Sequence, residues 1–472
     1  SLGEQEVPSS VIGEMIMEAL SGKDQQSQTV QLSALKSFAV DDARIFIDDR
    51  VLNVSWSLPH ADVYLSRDDN LLEGRLVLEN SDELIEVEAT PLEAGMLLDT
   101  ETGNIDIRAE LNRFELWKLG EKVPELDVLA QQNMVVNGHL QASVTKDLTL
   151  KSAIVNLESP SGEFNISEWS ADPVPFENLA IDMQYYNADK TLEVSQFAID
   201  LPEIPVRGAA KFAMDGEAVT GDVRAEIEGV QHSAIEPLWP VALEEDNARE
   251  WVVEKLSGGA FSNLFVDTQF IISDINAEEP GFEIEALEAG FDFDGVDIDY
   301  RSPLAPATDT VGTGHFDYTT DILKIDIDTG KILDMDVSDG EVELLYVVAE
   351  GKGTADVHFD LKGPVKSVLE YIKADPINAN HEIDVANSKG RAEMVVNIHL
   401  PTKDDVAMSE VKIDINGTVT DASLPNVVKG MTLSGGPFTA KVKDNRLTVS
   451  GKGLLDGEPI EAEYREFLES EG

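Results

Sequence analysis

The chain has 472 residues, 91 of them acidic and 35 basic, for a formal net charge of −56; 42% are apolar and none is cysteine. That is apolar material enough for a sizeable core, while the charge repels phosphate backbones and anionic membrane surfaces, so no nucleic-acid partner is expected. The missing thiols exclude disulfides, thiolate metal sites and cysteine nucleophiles, and no stretch approaches the ~18 consecutive apolar residues of a membrane span.

The polar opening SLGEQEVPSS has neither an initiator Met nor a basic-then-apolar leader, and reads as part of a longer chain. Ser9 or Ser10 is placed to cap a leading helix with Val11, Ile12, Met15, Ile16, Ala19 and Leu20 on one face. Beyond it period-two alternation dominates, the mark of strands with one wet face. Clear cases are NIDIRAEL (104–111), AIDMQYY (180–186), LKIDIDTG (323–330), ADVHFDL (355–361), MVVNIHL (394–400), VKIDING (411–417) and RLTVSG (446–451). Tight-turn signals stand between strands at 67–70, 187–190, 214–216 and 443–445. A central helix is expected over 243–257, with Glu244, Glu245 and Asp246 in its first turn, Ala248, Trp251, Val252 and Leu256 on one face, and Gly258 as stop. A third helix follows Pro364, with Val365, Val368, Leu369 and Ile372 at helical spacing and Pro376 beyond its end.

A loose repeat of alternating strand, polar residue and Gly, then a second alternating strand recurs in LLEGRLVLEN, MVVNGHLQASV, VRGAAKFAMDG, VVAEGKGTADVHFDL, IDINGTVTDA and VSGKGLLDG. Paired glycines at Gly312/Gly314, Gly351/Gly353 and Gly451/Gly453 suit either close backbone contacts that let a sheet coil or a smooth floor for a ligand. Counting the alternation gives roughly thirty strands, which at about 4.8 Å each would extend on the order of 140 Å unclosed. Parallel βαβ folds are excluded by the lack of crossover helices. The expected fold is mainly β: an elongated, twisted antiparallel sheet forming an apolar trough, with a few short helices. Residues 1–236 form its N-terminal part and 237–472 its C-terminal part, continuous with the first.

Catalytic and metal signatures are absent from the sequence. His60, His139, His232, His315, His358, His381 and His399 show no i+2 or i+4 pair. No phosphate-binding loop or nucleophile elbow occurs. Asp334 and Asp336 could open a calcium loop, but Asp339 stands where its glycine belongs. Alternate acids such as Asp326 and Asp328 suit the wet face of a sheet. No metal, cofactor or catalytic residue is expected, although a carboxylate pair of the glycosidase kind is not excluded by sequence.

A one-sided sheet hides its apolar face by packing on a second sheet, by closing into a barrel, or by curling into a trough fit for acyl chains. Candidate lining residues are Leu76, Leu78, Ile181, Met183, Tyr185, Phe197, Ile199, Leu201, Ile325, Ile327, Val357, Phe359, Leu361, Val396, Ile398, Leu400, Ile413, Ile415, Leu447 and Val449. Three function classes stay open: a lipid conduit, a structural β scaffold and a carbohydrate-active enzyme. A conduit leaves an open slot, a scaffold seals it, and an enzyme shows a pocket with convergent polar groups.

The run ALKSFAVDDARIFIDDRVLNVSWSLPHADVYLSRDDNLLEGRLVL (34–78) resembles the AsmA-like superfamily of bacterial envelope proteins, in particular its YhdP branch. Trp239-Pro240, Ala248-Arg249, Trp251-Val252 and Gly258-Gly259 are similar to a signature of that branch. So are DLKGPVKSVLEYIKADPI (360–377) and the closing run 416–466. The resemblance implies a long curved β trough in the periplasm. It would be anchored by an inner-membrane helix ahead of this sequence and would conduct phospholipid between the inner and outer membranes. Phospholipids are the implied partners, with undefined envelope proteins at the far end.

Overall fold

The structure, a computed structural model, describes residues 36–467 except 50–53, 69–70, 79–91, 100, 123, 146–148, 166–169, 171, 240–248, 276, 278–279, 349–352, 378, 380–381, 404–405 and 444–445. The leading helix, the first half of the central helix, Gly351 and the turn residues Asp69, Asn70, Asp444 and Asn445 lie outside the described residues. The chain is mainly β, with 23 strands in one open antiparallel sheet among the described residues. Two compact units divide it, one within Ser1–Val223 and Ile271–Glu283, the other within Arg224–Phe270 and Ile284–Gly472.

The first unit is a meander of β1 (Ser37–Asp49), β2 (Val54–Asp68), β3 (Leu71–Leu78), β4 (Leu92–Asp99), β5 (Ile105–Glu115), β6 (Asn133–Val144), β7 (Leu150–Phe164), β8 (Val174–Tyr186), β9 (Thr191–Leu201) and β10 (Ile204–Asp215). Each pairs antiparallel with the next. The expected turn at 187–190 joins Tyr186 to its partner Thr191. Between β5 and β6 stands α1 (Leu116–Lys122) with a 3₁₀ turn, Pro124–Gln131. Seven residues interrupted by a glycine are too few for periodicity to announce a helix. Gly120 is needed there, because a Cβ would sit 2.8 Å from Ala130 Cα on the 3₁₀ turn.

Strands β11 (Ala218–Gln231), β12 (Leu256–Ser257), β13 (Ala260–Ser273) and β14 (Gly281–Ile298) follow, with β11 beside β13 and β12 beside β14. The second unit then runs as a meander of β15 (Ala307–Asp317), β16 (Ile322–Ile332), β17 (Met335–Leu345), β18 (Thr354–Pro364), β19 (Lys389–Pro401), β20 (Lys412–Val428), β21 (Met431–Lys443), β22 (Arg446–Leu455) and β23 (Glu458–Phe467). From β14 onward every strand pairs antiparallel with its successor. The third expected helix is α2 (Val365–Lys373), entered from an extended Pro364.

Two expectations are corrected. Among the described residues the strands are fewer and longer than the roughly thirty read from alternation, reaching 18 residues in β14 and 17 in β20. The glycines that seemed to separate two strands, such as Gly138 and Gly417, lie inside single ones. The central helix is also cut short: Glu250–Lys255 is a π-helical turn, and Leu256–Ser257 leaves it to pair with Ile298 and Asp297. Strand pairing there overrides helical propensity, with Gly258 and Gly259 at φ 65° and 64° making the exit. Trp251 is left 49% exposed.

The long strands carry bulges. Asp42, Arg113, Asn178, Asn263, Asp309, Asp339 and Asp421 lie within strands at φ between 49° and 54°. Register shifts fall at or beside several of them, between Leu111 and Phe114, Glu177 and Ala180, Thr308 and Val311, and Ser338 and Glu341. Short polar side chains, which six of the seven carry, tolerate the left-handed region best, and neighbouring strands hold several of these residues. Asp62 Oδ1 accepts from Asp42 N (2.8 Å), Asn137 Oδ1 from Arg113 N (2.9 Å) and Asp297 Oδ1 from Asp309 N (3.0 Å). Asn178 Nδ2 donates to Asp200 Oδ2 at 2.9 Å. With Arg207 also donating to it, this bond holds the Asp200 carboxyl below the usual carboxylate range.

On one side of the bulges each unit is sealed. In the first unit Phe114, Met134, Val136, Phe176 and Leu179 are buried, with the Phe164 and Phe176 rings 4.8 Å apart. In the second, Val365, Val368 and Leu369 of α2 cover Leu361, Met394 and Ala392, beside buried Ile332, Met335 and Val337. Tyr371 of α2 is fastened by a 2.9 Å hydroxyl contact to Tyr300, which donates to Ala305 O at 2.7 Å. Burial pushes both phenols up.

Candidate functional site

On the other side of the bulges, strand register lines up apolar residues across neighbouring strands. In the first unit one row runs Val40, Val63, Leu76, Ala94, Ala109, Leu140, Val155, Met183, Val194, Ala210, crossing β1 to β10 without a polar member. The next runs Leu65, Gly74, Met96, Ile107, Ala142, Ala153, Tyr185, Leu192, Phe212. All of these except Gly74 are only half-buried. The intervening row on the opposite face runs Arg75, Gly95, Arg108, Gln141, Ile154, Gln184, Glu193, Lys211.

The second unit repeats the scheme. Phe291, Gly314, Ile325, Val342, Val357, Ile398 and Ile413 form a row from β14 to β20, with every side chain half-buried. Leu323, Leu344, Ala355 and Leu400 lie on one flank. Phe359, Val396, Ile415, Val442 and Leu447 lie on the other. Beyond them come Leu361, Met394, Gly417, Ala440 and Val449. The opposite face carries Lys324, Glu343, Asp356, His399 and Lys412 in one row. The next holds Asp326, Glu341, His358, Asn397 and Asp414.

Every expected lining residue thus lies on an apolar face, in one unit or the other. Ile327 stands opposite Gly312 and Gly340, Ile181 between Leu157 and Phe197, and Ile199 opposite Val206. Four of them are buried rather than open: Leu78 beside Ala61, Leu201 beside Ile204, Leu361 beside the α2 cluster, and Val396. The paired glycines are not an empty floor. A Cβ on Gly312 would stand 2.7 Å from Phe293 Cζ, and on Gly453 2.6 Å from Phe438 Cζ, while Gly314 lies under the Phe291 ring. Gly312, Gly314, Gly451 and Gly453 each seat a ring from the neighbouring strand, a pairing visible only once the register is known, whereas Gly353 faces Thr402.

Among the described residues, groups on the charged face pair with one another along and across its rows. A shallow depression of ≈ 590 Å³ there is lined by groups of both signs, among them Glu341, Asp356, His358, His399, Lys412 and Asp414. His399 Nδ1 meets Asp356 Oδ1 at 2.7 Å, and His358 Nδ1 meets Asn397 Oδ1 at 2.9 Å. A hydrogen bond to Glu341 and the charge of Asp326 hold the Lys324 ammonium above its ordinary range. Among the described residues no group of three His, Asp or Glu could hold a metal ion, and no helix is long and apolar enough to cross a membrane. No protein-family model, curated protein or solved structure matches the chain.

Proposed function

We propose that the chain binds phospholipid acyl chains along its half-open apolar faces and passes them between inner and outer membranes in the periplasm. In this reading it is a member of the AsmA-like superfamily, YhdP branch, without a catalytic step. The observation that supports it is the rows of apolar side chains, ten strands long in one unit and seven in the other, left half-exposed on the face a scaffold would bury. At about 0.8 kcal/mol per methylene, exposing two chains of some sixteen carbons costs on the order of 25 kcal/mol, so a carrier needs an unbroken apolar surface of this kind. Organic extraction of the purified protein followed by mass spectrometry tests it. Co-purifying phospholipid is expected. Lipid-free protein that takes up none from labelled vesicles overturns the proposal.

A further inference from the structure

We propose that the hydrogen bond from Arg301 to Val406 is a latch across the second unit's apolar face, holding acyl chains in the slot and releasing to let them pass; this rests on the reading above. Arg301 Nη2 donates to Val406 O at 3.0 Å, across 105 residues of sequence. Arg301 follows β14 and Val406 follows β19.

Register gives this contact its meaning. Ile298, at the end of β14, is level with Ala307, Ile332 and Met335. Pro401, at the end of β19, is level with Thr354, Leu345 and Ile322, at the opposite ends of β16 and β17. Over the 11 residues of β16 those ends lie about 34 Å apart. Arg301 is three residues beyond Ile298 and Val406 five beyond Pro401, an extended reach of about 10 Å and about 17 Å. Both segments therefore turn inward over a curled sheet to meet.

They meet on the apolar side. Ala305, in the same loop as Arg301, packs on the cluster of Ile332, Met335, Val337 and Leu361 together with Tyr371 of α2. Leu361 shares its row with Met394 on the apolar face. The Tyr300–Tyr371 hydroxyl contact and a 2.8 Å bond from Asp299 N to Lys255 O root the loop, so Arg301 reaches from a fixed support. Val406 and Val411 are 9% and 7% exposed, although connections between strands ordinarily run over the surface. A guanidinium holds a backbone carbonyl less firmly than a carboxylate, which suits a contact that has to open. Between the two ends lies the row of Ile325, Val342, Val357 and Ile398, so what the latch confines is an uncharged apolar chain.

The chain has no cysteine, so Ser302→Cys with Ala407→Cys, both at exposed positions beside the latch, can be joined selectively by a bismaleimide carrying a reducible disulfide. Uptake is followed in the full chain from vesicles of radiolabelled phosphatidylethanolamine, with Ser302→Cys alone as the labelling control. The bridged form is expected to take up lipid several-fold more slowly than the control, and reductant to restore the rate. Uptake by the bridged form at the control rate overturns the latch and leaves the conduit standing. No uptake by the parent or the reduced form overturns both. Arg301→Ala is expected to lose bound lipid to acceptor vesicles several-fold faster at an unchanged melting midpoint, with Arg301→Lys, which keeps a donor, nearer the parent. A lowered midpoint with an unchanged rate of loss overturns the latch in favour of a purely structural tie.

Discussion

Placing one carboxylate at Ile398 and, separately, at Leu361 separates an open slot from a sealed core within a single unit. Leu361 is 6% exposed and packs on Ile332, Met335 and Val337 beside α2. Leu361→Asp loses about 2–3 kcal/mol of transfer free energy and leaves an unpaired buried charge, for a total of about 3–5 kcal/mol. Ile398 lies between Val357 and Ile413 and keeps part of its surface in water. Ile398→Asp therefore forfeits about 1 kcal/mol of burial plus up to ~1 kcal/mol of strand preference, and its carboxylate reaches solvent. At roughly 2–4 °C per kcal/mol for a unit of this size, Ile398→Asp is expected to lower the melting midpoint by about 2–8 °C and Leu361→Asp by about 6–20 °C. Retention of a fluorescent phospholipid should be lost in Ile398→Asp while the fold persists. Phe359 is a poorer probe, because it leans on the cluster beside α2. If the two variants melt equally low, or if Ile398→Asp retains lipid like the parent, the distinction between open and sealed zones is wrong.

Three further outcomes are expected. Asp309→Val, which forces a β-branched residue to φ 51°, should cost about 1–2 kcal/mol in urea unfolding, whereas Asp309→Gly keeps the backbone bond to Asp297 and should be near neutral. Gly314→Ala drives a methyl into the Phe291 ring and should cost about 1–3 kcal/mol, recovered in part by Phe291→Leu in a double-mutant cycle. Asp200 has a folded pKa below its unfolded one, so its bonds to Asn178 and Arg207 stabilise above the ordinary carboxylate value near ~3.9 and lose that effect as pH falls through the lower folded value. The stability gap between the parent and Asp200→Asn should therefore be widest above about pH 5 and close toward low pH; a gap independent of pH counts against it.

Alternation made the strands and their wet faces legible, because a period of two survives any register. Ile325, Val357, Ile398 and Ile413 were recognisable as same-face residues of their strands, and register placed them in one row. Other features depend on partners distant in sequence. The burial of Leu361 arises from its packing with Ile332, Met335 and Val337 on two other strands. The need for Gly314 arises from a ring on β14. Asp339 looks like one more surface acid until its backbone is seen at φ 50°. In α1, seven residues around Gly120 held too little pattern to announce a helix, and contact with the 3₁₀ turn decides the matter.

The bulges set the phase of each strand. In β17, Met335 and Val337 are buried at odd positions, while Gly340 is buried and Val342 and Leu344 take the apolar face at even ones, with the left-handed Asp339 between them. Removing Glu341 would leave that bulge in place and shift Val342 and Leu344 by one position, turning them toward the charged face. Single-residue deletions inside these strands should thus be far more damaging than substitutions at the same positions, and lengthening or shortening of the chain should be tolerated chiefly in the turns.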